Sequence, residues 1–508
     1  LLDMDRAVER LAQARVQGEK VCIYGDYDVD GISSVALLVS FFRAVGISTF
    51  FHIPRRLEDG YGLSADGISL VAALGAKVVV TVDCGVTAVD EARLAAELGL
   101  DLIITDHHTP DEILPDAYAV INPLRPGCSF PFKGIAGVGV AFNLLMALRR
   151  RLRDGGAFGG QPEPDLREYL DLVALGTIAD VAPLQDENRV LARFGLRALE
   201  TSKRPGIIAL KEVSAVSGAV SCSTVGFRLA PRLNAVGRLE DAARGVELLL
   251  SDDIEDARLI ASELDAGNTE RQAIEKEMLR SALEMIGESP GIPGRHSIVL
   301  ASEEWHPGVI GIVASRIVDI YHRPTILIAM QEGVGRGSGR SIPGFHLYQA
   351  LHASADHLVK FGGHRQAAGL SIDESTLSSF VRRFDEVASG ELSEADLVPE
   401  LLLDGELHPN DLTIDLAQAI ADLYPFGMGN PEPLFLMRGL HVAGSRVLKG
   451  SHLKLLLESG GRRIDAIAFG MADRKVPDRI DIAAQLQVNA WNGMTSLQFR
   501  IKDLRESE

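Results

Sequence analysis

Three aspartates stand at alternate positions in GDYDVDG at 25–31, Asp26, Asp28 and Asp30, directly behind the apolar run VCIY. Like charges crowded into one turn repel, so such a cluster persists where a cation neutralises it. Capping a helix that starts near Ile32 would need only one of them. A calcium loop also opens D-x-D-x-D-G, but it wants Glu at its twelfth position, which here is Leu37, and a helix ahead of it where this chain has a strand. Two more apolar runs end in residues of the same kind: TVDCG supplies Asp83, and ITDHH supplies Asp106, His107 and His108. Asp180, in GTIADVAP, is a further ligand candidate from a helix end. A lone histidine is usually a satisfied core residue, but two in a row among aspartates on matching loops point to one facing the cleft and its neighbour contacting substrate. Carboxylates and imidazoles without thiolate suit Mn2+, with Mg2+ the alternative. Two such ions sharing a carboxylate lower the pKa of a bound water and stabilise both oxygens of an in-line displacement at phosphorus.

The elements that must position these residues follow from periodicity. Between 20 and 180, short apolar runs (VCIY, AKVVVTV, LDLIIT) alternate with amphipathic stretches (ISSVALLVSFFRAVG, AVDEARLAAELG), which predicts βαβ units and a parallel sheet. The candidate ligands then fall at the carboxyl ends of the strands, where open α/β sheets bind ligands. Residues 252–288 are charged with an apolar stripe, which predicts a long linking helix. A second α/β lobe follows, from HSIVLASEEWHPGVIGIVASRI to AAGLSI, then PFGMGNPEPLF as a Pro/Gly hinge. The β-like runs HLKLLLE, RRIDAIAF, IDIAAQLQVNAW and TSLQFRIKDL predict a small OB-type β-barrel. The expected fold class is thus α/β, a two-lobed core with a parallel sheet, a second lobe joined by a long helix, and a C-terminal barrel. The expected divisions are 1–250, 251–290, 291–425 and 426–508.

Composition bounds the rest. A chain of 508 residues with 46% hydrophobic and 24% charged residues is a folded, multidomain protein. No apolar run approaches the roughly 18 residues that cross a bilayer, so no membrane role and a cytoplasmic location are expected. The four cysteines, Cys22, Cys84, Cys128 and Cys222, form no C-x-x-C pair and are expected to be small core residues. The chain opens on Leu1 without a methionine, so a preceding segment is expected. A net charge of −19 argues against nucleic-acid binding by the whole surface, but the acidity is uneven. Residues 371–424 carry 2 Lys+Arg against 13 Asp+Glu, whereas 440–508 carry 11 against 8.

Taken in order, GDYDVDG, TVDCG, ITDHH and GTIAD resemble the DHH phosphoesterase family. The resemblance extends through IPRRLEDGYGL at 53–63, PRLNAVGRLEDA at 231–242, WHPGVIGIVASR at 305–316, SGRSIPGFHL at 338–347, FGGHRQAAGL at 361–370 and PFGMGNPEP at 425–433. Together these segments are similar to the members that degrade single-stranded DNA from the 5′ end to mononucleotides in repair and recombination. The resemblance implies a DHH catalytic core and a DHHA1-type substrate-binding lobe. It implies two Mn2+ ions held by Asp26, Asp28, Asp83, His107 and Asp180, with Asp83 bridging, His108 at the scissile phosphate, and Asp30 and Asp106 orienting ligands. Some relatives carry a histidine just ahead of the first aspartate; Cys22 and Tyr24 occupy that region here, so the second metal would be held differently. For the strand end, Ser338 and Arg340 in an SGRS loop would bind a terminal phosphate. Arg56, Tyr61, Asn234, Arg238, His306, Gly362, Gly363 and His364 would complete the substrate contacts. In the barrel, Lys449, His452, Lys454, Arg462 and Arg463 would contact a strand, with Trp491 more in keeping with the core than with base stacking. The expected assembly is a monomer working with single-strand-binding protein and a helicase. A family member acting on short oligonucleotides or cyclic dinucleotides is the rival enzyme, and a non-catalytic DNA-binding scaffold the rival from another class.

Overall fold

The computed structural model describes residues 1–54, 62–160, 162–239, 241–288, 294–491 and 494–507, with the side chains of 236, 238, 239, 490, 491 and 494 also outside the description. Contacts divide the chain into two units, 1–180 with 197–399, and 181–196 with 400–508.

The apolar runs form a parallel sheet. Strands β1 (Lys20–Gly25), β2 (Thr49–His52), β3 (Ala76–Val82), β4 (Asp101–Thr105) and β5 (Ala119–Ile121) lie in the order β2-β1-β3-β4-β5, every pair parallel. Helices Ala65–Ala73 and Val89–Glu97 cover one face, and Met4–Gln17, Val29–Ala44 and Gly137–Asp154 pack from the other. A strand covered on both faces needs apolar residues on both, which is why 21–24, 78–80 and 102–104 are unbroken apolar runs. The chain leaves β1 to one side for β2 and returns on the other for β3. That reversal opens a crevice at the carboxyl ends of β1 and β3, the place where this topology binds ligands. The helix after β1 begins at Val29, three residues earlier than the sequence suggests, because Asp28 caps it by accepting from Asp30 N and Gly31 N.

Helix Ile254–Glu288 runs for 35 residues, about 50 Å at helical rise, and buries the stripe Ala257, Ile260, Ala261, Leu264, Met278, Ala282 and Ile286. The lobe beyond it is built on β6 (Ile298–Ser302), β7 (Thr325–Gln331), β8 (Val334–Arg340), β9 (Lys360–Gly363) and β10 (Ala367–Asp373) in the order β6-β7-β8-β10-β9. Only the β6–β7 pair is parallel. Ser338 and Arg340, expected in a loop, belong to β8. Their strand is disguised by three glycines at alternate positions, and each glycine fills an inward site too tight for a side chain. A Cβ on Gly335, Gly337 or Gly339 would sit 2.6 Å from Ile328, 2.7 Å from Leu370 or 2.9 Å from Leu347. Arg336, Ser338 and Arg340 therefore project from the opposite face.

The second unit is a closed barrel. Strands β11 (Gly405–Glu406), β12 (Phe435–Leu448), β13 (His452–Ser459), β14 (Arg462–Ala468), β15 (Arg479–Trp491) and β16 (Met494–Glu506) follow the order β11-β12-β13-β14-β16-β15. A further β12–β15 pairing closes the ring around Met437, Leu455, Ala466, Ile482 and Phe499. β12 is absent from the sequence reading because register shifts at Met437/Leu440 and Val442/Gly444 break its alternation. Residues 400–425 pack with the barrel: Leu407, Leu412, Ala417 and Ile420 join its core. The segment PFGMGNPEP, expected to be a hinge, is a docked loop. Met428 O accepts from Leu184 N at 2.7 Å and Gly429 O from Gln185 Nε2 at 2.8 Å. Of the cysteines, Cys22 and Cys84 are buried as expected, whereas Cys128 and Cys222 are only partly so. Among the described residues no helix is long and apolar enough to cross a membrane.

Candidate metal centre

Three strand ends and two helix ends deliver the charged residues. Asp26 follows β1, Asp83 follows β3, and Asp106, His107 and His108 follow β4. Asp180 caps the C-terminus of helix Leu170–Ala179. Asp26, Asp30, Asp83 and Asp106 are each at most 3% exposed. Asp83 sits at φ 61°, a left-handed conformation that an L-residue keeps only when its surroundings impose it.

Within this crevice three groups have ligand atoms within 4.8 Å of one another: Asp26, Asp28 and Asp83; Asp83, His107 and His108; and Asp30, His107 and Asp180. His107 Nε2 lies 3.0 Å from Asp83 Oδ1 and 3.9 Å from Asp180 Oδ2. Among the described residues that nitrogen is buried without a hydrogen-bond partner, which fits the chemistry of a metal ligand. Asp83 and His107 each belong to two of the groups.

Burial and mutual repulsion shape the electrostatics. Burial, then the charges of Asp30, Asp28, Asp180 and Asp26, push the Asp83 carboxyl well above its ordinary range. Asp180 is raised to about 9 by burial and by Asp30 and Asp28, and Asp30 to about 7 by burial and Asp28. Such crowding is the stress that a divalent cation relieves. The histidines diverge: burial and the neighbouring His108 charge lower His107 to about 4. His108 rises to about 9 because its bond to Asp106, 2.8 Å from Nδ1, and the Asp106 charge outweigh burial. Burial and pairing thus favour the neutral imidazole for His107 and the cation for His108.

Two residues expected as orienters are held by backbone amides. Asp30 accepts from Gly137 N at 2.7 Å and Val138 N at 2.8 Å, at the positive end of helix Gly137–Asp154. Asp106 accepts from Val86 N, His107 N and His108 N as well as pairing with His108. For Asp106 burial favours the neutral acid, but the His108 bond and charge prevail and lower its pKa. The sequence reading missed Gly137 and Gly176, which make room for these carboxylates. A Cβ on Gly137 would fall 2.7 Å from Asp83 Oδ1, and one on Gly176 2.7 Å from Asp30 Oδ1. The signal was present in the glycine-spaced GIAGVGV at 134–140.

The substrate residues fall into other settings. Gly369 pairs with both Ser338 and Gly362, and Ala367 with Arg340, so the SGR and GGH segments share one level of the second sheet, two strands or about 10 Å apart. Arg340 donates to Ser338 Oγ at 3.1 Å, and a Cβ on Gly311, at the start of helix Ile310–Tyr321, would lie 2.9 Å from both side chains. Ser338 and Arg340 therefore sit under a helix N-terminus, a setting suited to an anion. His306 Nδ1 accepts from Gly308 N as the chain turns toward that helix. Gly363 has φ 140° and a Cβ there would strike the Ala368 backbone at 2.5 Å, so the turn itself demands glycine, and His364 beside it is exposed. Asn234 is partly buried, accepts from Val29 N through Oδ1, and lines a cavity with Pro231, Arg271 and Glu275. Arg56 and Tyr61 lie outside the described residues, as do the side chains of Arg238 and Trp491.

A parallel sheet with this acidic switch-point crevice, followed by a second α/β lobe and a small barrel, defines a protein of the DHH class. Family models agree: the N-terminal domain of the DHH family matches residues 20–177, the DHHA1 domain 295–390 and the RecJ OB domain 403–503. The single-stranded-DNA-specific exonuclease RecJ of Salmonella typhimurium is 43% identical, over 99% of this chain and 90% of its own length. That of Bacillus subtilis is 40% identical over 99% of this chain, which spans only 64% of the relative. The crystal structure of RecJ in complex with Mn2+ from Thermus thermophilus superposes with a TM-score of 0.86 at 36% identity, covering 100% of this chain and 72% of that one. A second structure of that protein contains Mg2+. The chain belongs to the RecJ family.

Proposed function

We propose that this chain is a metal-dependent exonuclease that hydrolyses single-stranded DNA from the 5′ end to 5′-mononucleotides, in repair and recombination. The observation that carries the reading is the meeting of Asp26, Asp28, Asp83, His107 and Asp180 in one buried crevice at the switch point of the sheet. Those five residues would hold two Mn2+ or Mg2+ ions, which supply a water of lowered pKa and charge compensation at the phosphate. Around them, Asp30 and Asp106 fix the loops through backbone amides, and His108, held cationic by Asp106, faces the phosphate being cut. Ser338 and Arg340 receive the terminal phosphate, with the Gly362–His364 segment alongside. Arg56, Tyr61, Arg238 and His306 are read as further substrate contacts.

The division of labour follows the expected domains: 1–250 catalytic, 251–290 the linking helix, 291–425 substrate-binding and 426–508 nucleic-acid-binding, with 400–425 working as part of the barrel unit. On that barrel the outward positions of β13 and β16 include His452, Lys454 and Arg500. Beyond the end of β14, Phe469 is 49% exposed, with the Arg500 guanidinium 5.4 Å from its ring centre. A cationic and aromatic face of this kind suits a single strand of any sequence. We also assign the protein a cytoplasmic place as a monomer, with single-strand-binding protein and a helicase as partners.

Product analysis on 5′-labelled single-stranded DNA with Mn2+ tests the whole reading. Release of the labelled mononucleotide first is expected. Intact long strands alongside cleaved dinucleotides would replace it with the oligonucleotide phosphodiesterase reading, and absence of any metal-dependent hydrolysis with the scaffold.

A further inference from the structure

The helix that follows the metal loop opens with three amides that have no partner within the helix, those of Val29, Asp30 and Gly31. Asp28 Oδ1 takes two of them, from Asp30 N at 2.9 Å and Gly31 N at 3.1 Å. The third is satisfied from 205 residues away, where Asn234 Oδ1 accepts from Val29 N at 3.2 Å. Because the amide needs an acceptor, the hydrogen-bonding logic fixes the carboxamide with its oxygen toward Val29. The helix carrying Asn234, Ala230–Leu239, is held tight against the loop: a Cβ on Gly237 would fall 2.6 Å from the Tyr27 carbonyl oxygen.

The consequence falls on Asp28. With Val29 served from outside, a single oxygen of Asp28 completes the cap, and Oδ2 is left out of it. Asp28 also offers a ligand oxygen within 4.8 Å of those of Asp26 and Asp83. Val29 is 1% exposed, so without Asn234 its amide would be buried with no acceptor, and the Asp28 carboxylate is the nearby group able to turn toward it. We propose that Asn234 is a positioning residue of the metal centre: by accepting the Val29 amide it frees the second carboxylate oxygen of Asp28 for a divalent cation. This assignment rests on reading Asp28 as a ligand, and it gives Asn234 a task other than gripping substrate.

The test is a Mn2+ titration of the full chain, read from the electron paramagnetic resonance signal of the free ion, together with the Mn2+ dependence of single-strand hydrolysis. Asn234→Ala is expected to weaken Mn2+ binding by roughly 10-fold, the lower end of the usual cost of losing a residue that orients a ligand. Its turnover is expected to recover toward that of the unmodified chain at saturating Mn2+. Asn234→Asp keeps the acceptor and is expected to retain the original Mn2+ affinity. Unchanged Mn2+ affinity in Asn234→Ala, a deficit that saturating Mn2+ fails to restore, or equal loss in Asn234→Asp would overturn the assignment. If the alanine variant does not fold, Asn234→Ser, whose hydroxyl is too short to reach Val29, carries the same readouts. An Asp28→Ala chain that binds Mn2+ as tightly as the unmodified one would overturn the ligand reading instead.

Discussion

Asp26, Asp30, Asp83 and Asp106 in the first lobe are at most 3% exposed, whereas Ser338 and Arg340 of the second are only partly buried and His364 is exposed. The first region is fitted to cations and the second to an anion, and they treat solvent in opposite ways. A metal centre gains from desolvation, because removing water strengthens carboxylate–cation attraction and fixes the donors before the ion arrives. A site for a strand end, the role proposed for Ser338 and Arg340, must admit a charged group that keeps part of its hydration, and these two residues stay partly exposed among glycines. The first lobe pays for this arrangement in the left-handed backbone of Asp83 and in carboxyl groups pushed above their ordinary range.

Removing a residue from either region should break the comparison in a recognisable way. The largest effect is expected for Asp83→Ala and His107→Ala. Hydrolysis should fall by roughly a thousandfold or more, since charge stabilisation at the phosphate supplies several kcal/mol. Strand binding measured in EDTA should barely change; a parallel loss of binding would show that the crevice grips DNA rather than cutting it. Next, Arg340→Ala should raise KM for 5′-phosphorylated strands by about 10- to 100-fold, the worth of a charged hydrogen bond of roughly 1.5–3 kcal/mol. Strands with a 5′-hydroxyl should be little affected, and equal damage to both would deny Arg340 its role at the end.

A moderate effect is expected from metal removal. Asp30 and Asp180 have folded pKa values of about 7 and about 9, above the ordinary 3.8, so the folded metal-free state holds protons that the unfolded chain has released. Their contribution is fully present below about pH 4 and is lost as pH rises through 7 and 9. In EDTA the melting temperature should therefore drop between pH 6 and pH 9, and Mn2+ should raise it most at the alkaline end. A flat profile in EDTA would mean that the carboxylates are compensated without metal. The smallest effect belongs to the barrel. Phe469→Ala should weaken binding of a long single strand by about 1 kcal/mol, the low end for one stacked base, read by fluorescence anisotropy; unchanged affinity would remove Phe469 from the strand's path.

The legible part of the site is the part that follows from local pattern. Asp26, Asp83 and the Asp106–His108 run can be placed at strand ends because an apolar run covered on both faces stops abruptly where the polar loop begins. Ser338 and Arg340 can be named but not placed, since alternating glycines mimic a loop unless the packed aliphatic partners are known. β12 is hidden for a related reason, its bulges interrupting the alternation on which strand recognition depends. Nothing in PRLNAVGRL signals that Asn234 accepts from a backbone amide 205 residues earlier.

By itself the sequence determined the kinds of donor present, their positions at the ends of strands, and the α/β class with a barrel after it, because periodicity and charge crowding are properties of neighbouring residues. Tertiary structure alone decided which strand ends meet. The order β2-β1-β3-β4-β5 sets the β1 and β3 ends side by side, Gly137 and Gly176 let buried carboxylates approach, and Asn234 closes the loop from outside. Those outcomes depend on contacts between residues far apart in the chain, which no local pattern encodes.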